Sequence, residues 1–146
     1  MWAVGTFAFK FLQYSIWNIM PDGSTKVLIV EDDKFSQMLL FQVLASYNID
    51  SLLASNGQEA LNILKSEVGI THIALDLNMP VMDGYEFLKN IENMQKENVK
   101  IYITSCNGRE SFIESIGESN NSNFNISGYF MKPFAMTELA EAIIND

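Results

Sequence analysis

Acidic, hydroxyl and basic residues stand where four short apolar runs of the chain end. Asp76 ends one run, Ser105 ends another, and Glu31-Asp32 and Lys132 follow two more. In open α/β sheets, reacting groups lie outside the carboxyl ends of the strands. Carboxylate oxygens bind hard cations, and a lysine relieves negative charge. These strand ends therefore predict a reactive carboxylate, Asp76, supplied with a cation site, a hydroxyl and a lysine.

Apolar runs that alternate with helical patterns would position these residues. Asp33 is predicted to cap the first helix, and Asn56 with Glu59 to form a pair like a capping box at the second. Continuous apolar strands between amphipathic helices predict a parallel sheet with helices on both faces. The strands are predicted at residues 26–30, 51–55, 71–76, 99–105 and 128–131.

Length and composition limit the class of protein. The 146 residues are 48% hydrophobic and 18% charged, which predicts one globular domain. The net charge of −9 argues against a nucleic-acid partner. The single cysteine, Cys106, excludes an internal disulfide and fits a reducing cytoplasm.

Residues 1–24 differ from the rest of the chain, and we predict a boundary between them and a domain at 25–146. The segment is neutral, carries both tryptophans, and lacks the basic start and cleavage site of a signal peptide. Polar residues interrupt it, so no membrane span is expected. We expect residues 1–20 to pack on this domain or on a partner, because they are rich in aromatic side chains: Trp2, Phe7, Phe9, Phe11, Tyr14 and Trp17.

Five stretches of the chain together resemble the receiver domain of two-component response regulators. They are VLIVEDD (27–33), ASNGQEAL (54–61), LDLNMPVMDG (75–84), IYITS (101–105) and GYFMKPF (128–134). The resemblance covers about residues 25–146. It implies a doubly wound, five-stranded parallel sheet in the order 2-1-3-4-5, the flavodoxin-like fold of CheY-like receivers.

The resemblance also implies a phosphoaspartate site. Asp76 would accept the phosphoryl group. Mg²⁺, or Mn²⁺ in its place, would be held by Asp32 with help from Glu31, by Asp76, and by the backbone carbonyl of Asn78. This sparse set of oxygen ligands suits Mg²⁺, which keeps several of its waters.

The remaining site residues implied by the resemblance would contact the phosphoryl group or change conformation when it is present. Ser105 would donate a hydrogen bond to it, Lys132 would pair with it, and Tyr129 would change rotamer together with the hydroxyl. The Lys132–Pro133 peptide bond is expected to be cis. Thr104 stands where an apolar residue is usual, so the choice between Ser105 and Thr104 as the switch hydroxyl stays open.

A receiver implies particular partners. The phosphoryl donor would be a histidine kinase or a phosphotransfer protein, and a downstream protein would bind the switched surface. Self-association could use the N-terminal segment or the face made by the fourth helix, fifth strand and fifth helix. The chain would not be an enzyme with a separate substrate, although it would catalyse its own Mg²⁺-dependent phosphorylation and dephosphorylation.

Two other functions compete with this reading. An aspartyl-nucleophile phosphohydrolase would need a second acid two residues after Asp76, where the chain has Asn78. A docking domain independent of phosphorylation would not need the set of site residues. The kinase, the pathway, and whether the receiver stands alone or within a larger protein stay open.

Residues outside the site are given structural roles. His72 is predicted to be a polar edge residue and Cys106 a small buried filler. Met82 is expected in a loop over the site. Residues 117–127 are predicted to form a long loop, because they are rich in Asn and Ser.

Overall fold

A computed structural model describes residues 25–94, 98–117 and 123–146. Across these ranges one parallel sheet has the strand order β2-β1-β3-β4-β5, which confirms the predicted doubly wound fold. The predictions for residues 1–24, including the domain boundary, lie outside the described residues. The strands are β1 (Lys26–Val30), β2 (Asp50–Ala54), β3 (His72–Asp76), β4 (Lys100–Ser105) and β5 (Ile126–Met131).

Helices alternate with the strands, and three of the described helices begin at a capping side chain. Asp33 accepts a hydrogen bond from the Ser36 amide at 2.8 Å, as predicted. Asn56 and Asp83 cap the next two helices in the same way. The helices are α1 (Lys34–Ser46), α2 (Gly57–Ser66), α3 (Gly84–Glu92), α4 (Arg109–Ile116) and α5 (Met136–Ile144). None of them has the length and apolar character that a membrane crossing requires.

The sheet separates two apolar cores. Leu28 and Val30 face the core beneath α2 and α3, whereas Val27 and Ile29 face the core beneath α1 and α5. This alternation follows from the two-residue period of a strand. β3 is buried along its whole length, so Asp76 is carried at the end of the most enclosed strand.

Four strands differ from the prediction at one or both ends. β3 and β4 each start one residue later than predicted, at His72 and Lys100. β2 runs from Asp50 to Ala54, so Ser55 lies beyond its end, where its amide donates to the Glu59 carboxylate at 2.8 Å. β5 starts at Ile126, which pairs with Ile101, so part of the predicted loop is strand. Residues 118–122 of that loop lie outside the described residues.

The prediction for His72 was wrong. Its side chain is 6% exposed, in β3 between β1 and β4. The ring stacks on Tyr102 with 6.1 Å between centroids, and Nδ1 lies 2.7 Å from the Thr71 hydroxyl. His72 is therefore a core residue at the amino ends of the strands, far along β3 from Asp76.

Candidate functional site

Three carboxylates converge at the carboxyl ends of β1 and β3. Glu31 and Asp32 follow β1, Asp76 ends β3, and one oxygen from each lies within 4.8 Å of the others. Glu31 and Asp76 are buried, whereas Asp32 is exposed. The arrangement brings together the three acidic residues that the sequence proposed as metal ligands.

Lys132, which follows β5, reaches into this cluster. Its Nζ lies 2.8 Å from Glu31 Oε2 and 3.2 Å from Asp76 Oδ2. Its backbone amide donates to the Ser105 carbonyl at 2.8 Å, and the peptide bond to Pro133 is cis, as predicted. Lys132 is the only basic side chain in the described ranges that forms an ion pair with Glu31 or Asp76.

The pKa values of Glu31 and Lys132 both move upward. Burial raises the pKa of the Glu31 carboxyl, and the hydrogen bond from Lys132 opposes that rise while the charge of Asp76 adds to it. Burial acts to lower the pKa of Lys132, but the hydrogen bond to Glu31 and the charge of Asp76 outweigh it. Both shifts favour the protonated form: burial disfavours the Glu31 carboxylate, and the neighbouring carboxylates stabilise the Lys132 ammonium group.

The loop from β3 to α3 is held close to Asp76. The Asn78 amide donates to Asp76 Oδ1 at 3.2 Å, and the Gly84 amide donates to the Leu77 carbonyl at 3.0 Å. A Cβ atom on Gly84 would lie 2.6 Å from the Asp76 carbonyl oxygen, so only glycine fits there. This loop therefore fixes where β3 ends and the direction in which Asp76 points.

Met82, in the same loop, is buried against α2. The Met82 carbonyl accepts from the Gly57 amide at 2.9 Å, and a Cβ on Gly57 would lie 2.7 Å from Met82 Cγ. Met82 is thus a loop residue, as predicted, but it packs into the core between the sheet and α2.

Ser105 and Thr104 face opposite sides of the sheet. Ser105 is fully buried, and its Oγ accepts from the Asn107 amide at 3.1 Å. Thr104 pairs with Asp76 in the strand register, and it lines a small cavity of about 10 Å³ with Glu31 and Ser36. The two hydroxyls thus face different cores. Ser105 faces the core beneath α2 and α3, which also includes Phe112 of α4.

Tyr129 lies half-buried on β5, beside the loop that follows Ser105. Its hydroxyl donates to the Asn107 carbonyl at 2.9 Å, and its ring centroid lies 5.8 Å from that of Phe112 in α4. Burial raises the pKa of Tyr129, while a hydrogen bond with Ser105 acts to lower it. Tyr129, Ser105 and α4 therefore form one contact group.

Cys106, the next residue after Ser105, is exposed, so the prediction of a buried filler was wrong. β4 ends at Ser105, and the chain turns outward immediately after it.

The family comparison agrees with this geometry. The sequence profile of the family described as "Response regulator receiver domain" matches residues 27–144. The chain belongs to this family. It is a receiver domain of two-component systems, and the comparisons give no support to a phosphohydrolase or to a docking domain independent of phosphorylation.

The relatives of this receiver include proteins from a yeast, a bacterium and Dictyostelium. It is 42% identical over 88 residues to the osmolarity two-component system protein SSK1 of Saccharomyces cerevisiae, covering 60% of this chain and 12% of SSK1. It is 30% identical over 118 residues to sporulation initiation phosphotransferase F of Bacillus subtilis, covering 81% of this chain and 90% of that protein. The match to hybrid signal transduction histidine kinase A of Dictyostelium discoideum covers only 6% of the kinase. The receiver thus spans a small part of the long relatives and nearly all of the short one.

Solved receiver structures share the fold. The receiver domain of the Francisella response regulator 1452 matches with a TM-score of 0.69 and 30% identity, covering 83% of this chain and 94% of that one. A chain of the CheX–CheY–BeF₃–Mg²⁺ complex from Borrelia burgdorferi matches with a TM-score of 0.69 and 25% identity, covering 83% and 87%.

Receiver domains bind Mg²⁺ at an acidic cluster, and the residues of this site fit that ion. Glu31, Asp32 and Asp76 offer hard carboxylate oxygens close together, and Lys132 balances only part of their charge. One or two carboxylates together with waters are the usual protein ligands of Mg²⁺. The donor set is therefore chemically suitable.

Sequence reasoning missed Gln37, whose side chain contacts the Glu31 carbonyl beside the cluster, and Lys34, which contacts Gln37. Gln37 is 2% exposed and bonds to the main chain at the ends of β1 and β2. The signal was present, because Gln37 precedes the buried Leu40 and Leu44 by three and seven residues on the same face of α1. A polar residue on an otherwise apolar buried stripe marks a specific interaction.

Proposed function

We propose that Asp76 accepts a phosphoryl group from a phosphohistidine of a histidine kinase or a phosphotransfer protein. The observation that carries this proposal is the contact of Lys132 with both Asp76 and Glu31 inside a buried acidic cluster. A buried excess of carboxylates is costly unless positive charge joins it. Such a site is suited to an anion that arrives with a cation.

The transfer would exchange one bond for another. A carboxylate oxygen of Asp76 forms a bond to phosphorus while the bond between phosphorus and the donor's imidazole nitrogen breaks. The imidazole keeps the electron pair of that bond and ends as neutral histidine once its protonation has adjusted with solvent. The work of the receiver is to position the groups and to balance charge, because phosphoryl transfer needs little other help from a protein.

Within the proposed site, Glu31, Asp32, Asp76 and the Asn78 carbonyl would hold Mg²⁺, or Mn²⁺ in its place. When bound, the ion supplies positive charge to the phosphoryl oxygens. The Lys132 ammonium group would form an ion pair with the same oxygens, since its Nζ already lies 3.2 Å from Asp76 Oδ2.

The receiver would act on itself and have no separate substrate. It would catalyse its own phosphorylation from the donor and its own dephosphorylation. The downstream partner would be a protein, and the acidic chain makes nucleic acid an unsuitable one. A cytoplasmic setting fits these partners.

The proposed switch links Ser105 to Tyr129. The Ser105 hydroxyl would turn to donate to the phosphoryl group and leave its contact with the Asn107 amide. Tyr129 would then release the Asn107 carbonyl and turn inward. The surface of α4, β5 and α5 would change shape, and a partner that prefers the changed surface would shift the equilibrium.

Mass spectrometry tests the acceptor. After incubation with acetyl phosphate and Mg²⁺, the wild-type chain should gain one phosphoryl group, and Asp76→Asn should gain none. Asp50→Asn changes an exposed aspartate at the other end of the sheet and serves as the matched control, which should react as wild type does. A phosphoryl adduct that persists in Asp76→Asn would refute the assignment.

A second experiment separates the two hydroxyls. Beryllofluoride with Mg²⁺ imitates the phosphoryl group, and it should change self-association and the amide exchange of β5 in wild type. Ser105→Ala should still gain a phosphoryl group at Asp76 but lose most of that response. Thr104→Val, which alters the opposite face of β4, should keep it. Equal responses in wild type and Ser105→Ala, with a loss in Thr104→Val, would move the switch to Thr104.

A further inference from the structure

The Gln37 side chain joins the ends of two strands next to the acidic cluster. Its Nε2 donates to the Glu31 carbonyl at 3.0 Å and to the Ala54 carbonyl at 2.9 Å. The Glu31 amide also donates to the Ala54 carbonyl, at 3.0 Å. One buried amide group therefore ties the first residue after β1 to the last residue of β2.

The oxygen of the same amide is also occupied. Gln37 Oε1 accepts from Lys34 Nζ at 3.2 Å, and Lys34 Nζ donates to Ser55 Oγ at 2.6 Å. Both amide hydrogens and one oxygen lone pair thus have partners within the protein. A buried amide costs free energy unless it is bonded in this way, so the geometry at Gln37 is strongly specified.

The acidic loop needs such support. Glu31, Asp32 and Asp33 are consecutive acids, and the carboxylates of Glu31 and Asp32 lie close to that of Asp76. Like charges at this spacing repel one another, and in the absence of a cation the repulsion favours opening of the loop. The bond from the Asp33 amide to Glu31 Oε1, 3.1 Å long, is made within the loop and does not anchor it to the sheet.

We propose that Gln37 is a positioning residue, which fixes the main chain that carries Glu31 and Asp32 so that their carboxylates stay at the spacing a divalent cation requires. Gln37 acts through the Glu31 carbonyl and touches none of the reacting atoms. The proposal rests on the function proposed above and deepens it. Replacing a group that orients metal ligands in this indirect way commonly lowers metal affinity by about 10- to 100-fold.

The test replaces the amide by a thioether of similar length. In Gln37→Met of the full chain, Mg²⁺ affinity measured by calorimetry should fall about tenfold or more. In EDTA, exchange of the backbone amides at residues 31–34 should become faster. Gln37→Asn keeps an amide but cannot span both carbonyls, so it should also lower Mg²⁺ affinity and speed amide exchange. This variant replaces Gln37→Met as the test if Gln37→Met fails to fold.

Two control variants on α1 separate positioning from general stability. Gln42→Met makes the same chemical change at an exposed position. Leu44→Val removes a methylene from a fully buried side chain without touching the loop. Both should keep Mg²⁺ affinity within about twofold of wild type, even though Leu44→Val lowers the melting temperature.

The proposal on Gln37 is overturned if its variants bind Mg²⁺ and exchange amides as Leu44→Val does. Failure of the proposed function would look different, since wild type itself would then neither bind Mg²⁺ nor gain a phosphoryl group. In that case the metal-free exchange at residues 31–34 still decides whether Gln37 positions the loop.

Discussion

Lysines and carboxylates are paired in different ratios at the two ends of the sheet. At the amino ends, Lys26 pairs with Glu67 at 3.1 Å, and the side chains are 20% and 45% exposed. Lys100 there pairs with Asp146 at 2.9 Å. Each of these lysines faces one carboxylate in partial contact with water. At the carboxyl ends, one lysine forms ion pairs with two buried carboxylates, and a third acid lies beside them.

This difference distinguishes a structural polar cluster from a functional one. Exposed one-to-one pairs contribute little to stability, about 0–1 kcal/mol. A buried excess of one sign is unfavourable for the fold, and such clusters are concentrated at sites where function requires them. The carboxyl ends have this imbalance, and in the described residues the amino ends do not.

The largest expected effect comes from removing the lysine at each end. Lys132→Met should lower the free energy of unfolding by about 3 kcal/mol, because it leaves buried carboxylates without a cation. Lys100→Met should lower it by less than about 1 kcal/mol. Urea unfolding near neutral pH without Mg²⁺ measures both, and Lys132→Arg tests whether charge alone is enough. If Lys132→Met and Lys100→Met lower the free energy of unfolding by similar amounts, the difference in burial and pairing between the two ends does not affect stability.

The next effect is stabilisation by Mg²⁺ at the carboxyl ends. At a free concentration 100 times its dissociation constant, Mg²⁺ should raise the free energy of unfolding by about 2.7 kcal/mol. Asp32→Asn should lose most of this gain, whereas Asp50→Asn, at the amino end of β2, should keep it. Thermal unfolding with and without Mg²⁺ measures the shift. An unchanged wild-type melting temperature would argue against a preformed cation site.

A smaller, pH-dependent effect is expected at the amino ends. Burial lowers the pKa of His72, and Lys100 adds to this while Asp146 opposes it. Between the lowered folded pKa and the ordinary pKa of about 6.5, the unfolded chain binds the extra proton. Wild type should therefore lose stability relative to His72→Phe as pH falls below about 6.5. A difference between the two proteins that does not depend on pH would show that His72 does not titrate in this way.

Much of the fold was accessible from the sequence, because strands and caps are local signals. The apolar runs predicted the five strands, and the cap at Asp33 depends only on neighbours in the chain. β5 was predicted too short, since Ile126 and Ser127 follow an Asn- and Ser-rich stretch, and their strand conformation comes from pairing with β4. Strand pairing between distant segments leaves little trace in local composition.

The site shows the same division. The motifs indicated Asp76, Glu31, Asp32 and Lys132, and the fold brings these four together. Outside the site, His72 was misjudged. A single polar residue in a short apolar run has no periodic partner that could reveal its burial between two neighbouring strands.

Gly84 gives this receiver a constraint that no charged group supplies. A single added carbon would meet the carbonyl of Asp76 at 2.6 Å and the Cα of Leu77 at 2.8 Å. Even alanine would have to push α3 away from the strand that carries Asp76, the proposed acceptor. In a library of random variants selected for phosphoryl uptake, substitutions at Gly84 should therefore be depleted about as strongly as those at Asp76, although Gly84 has no side chain.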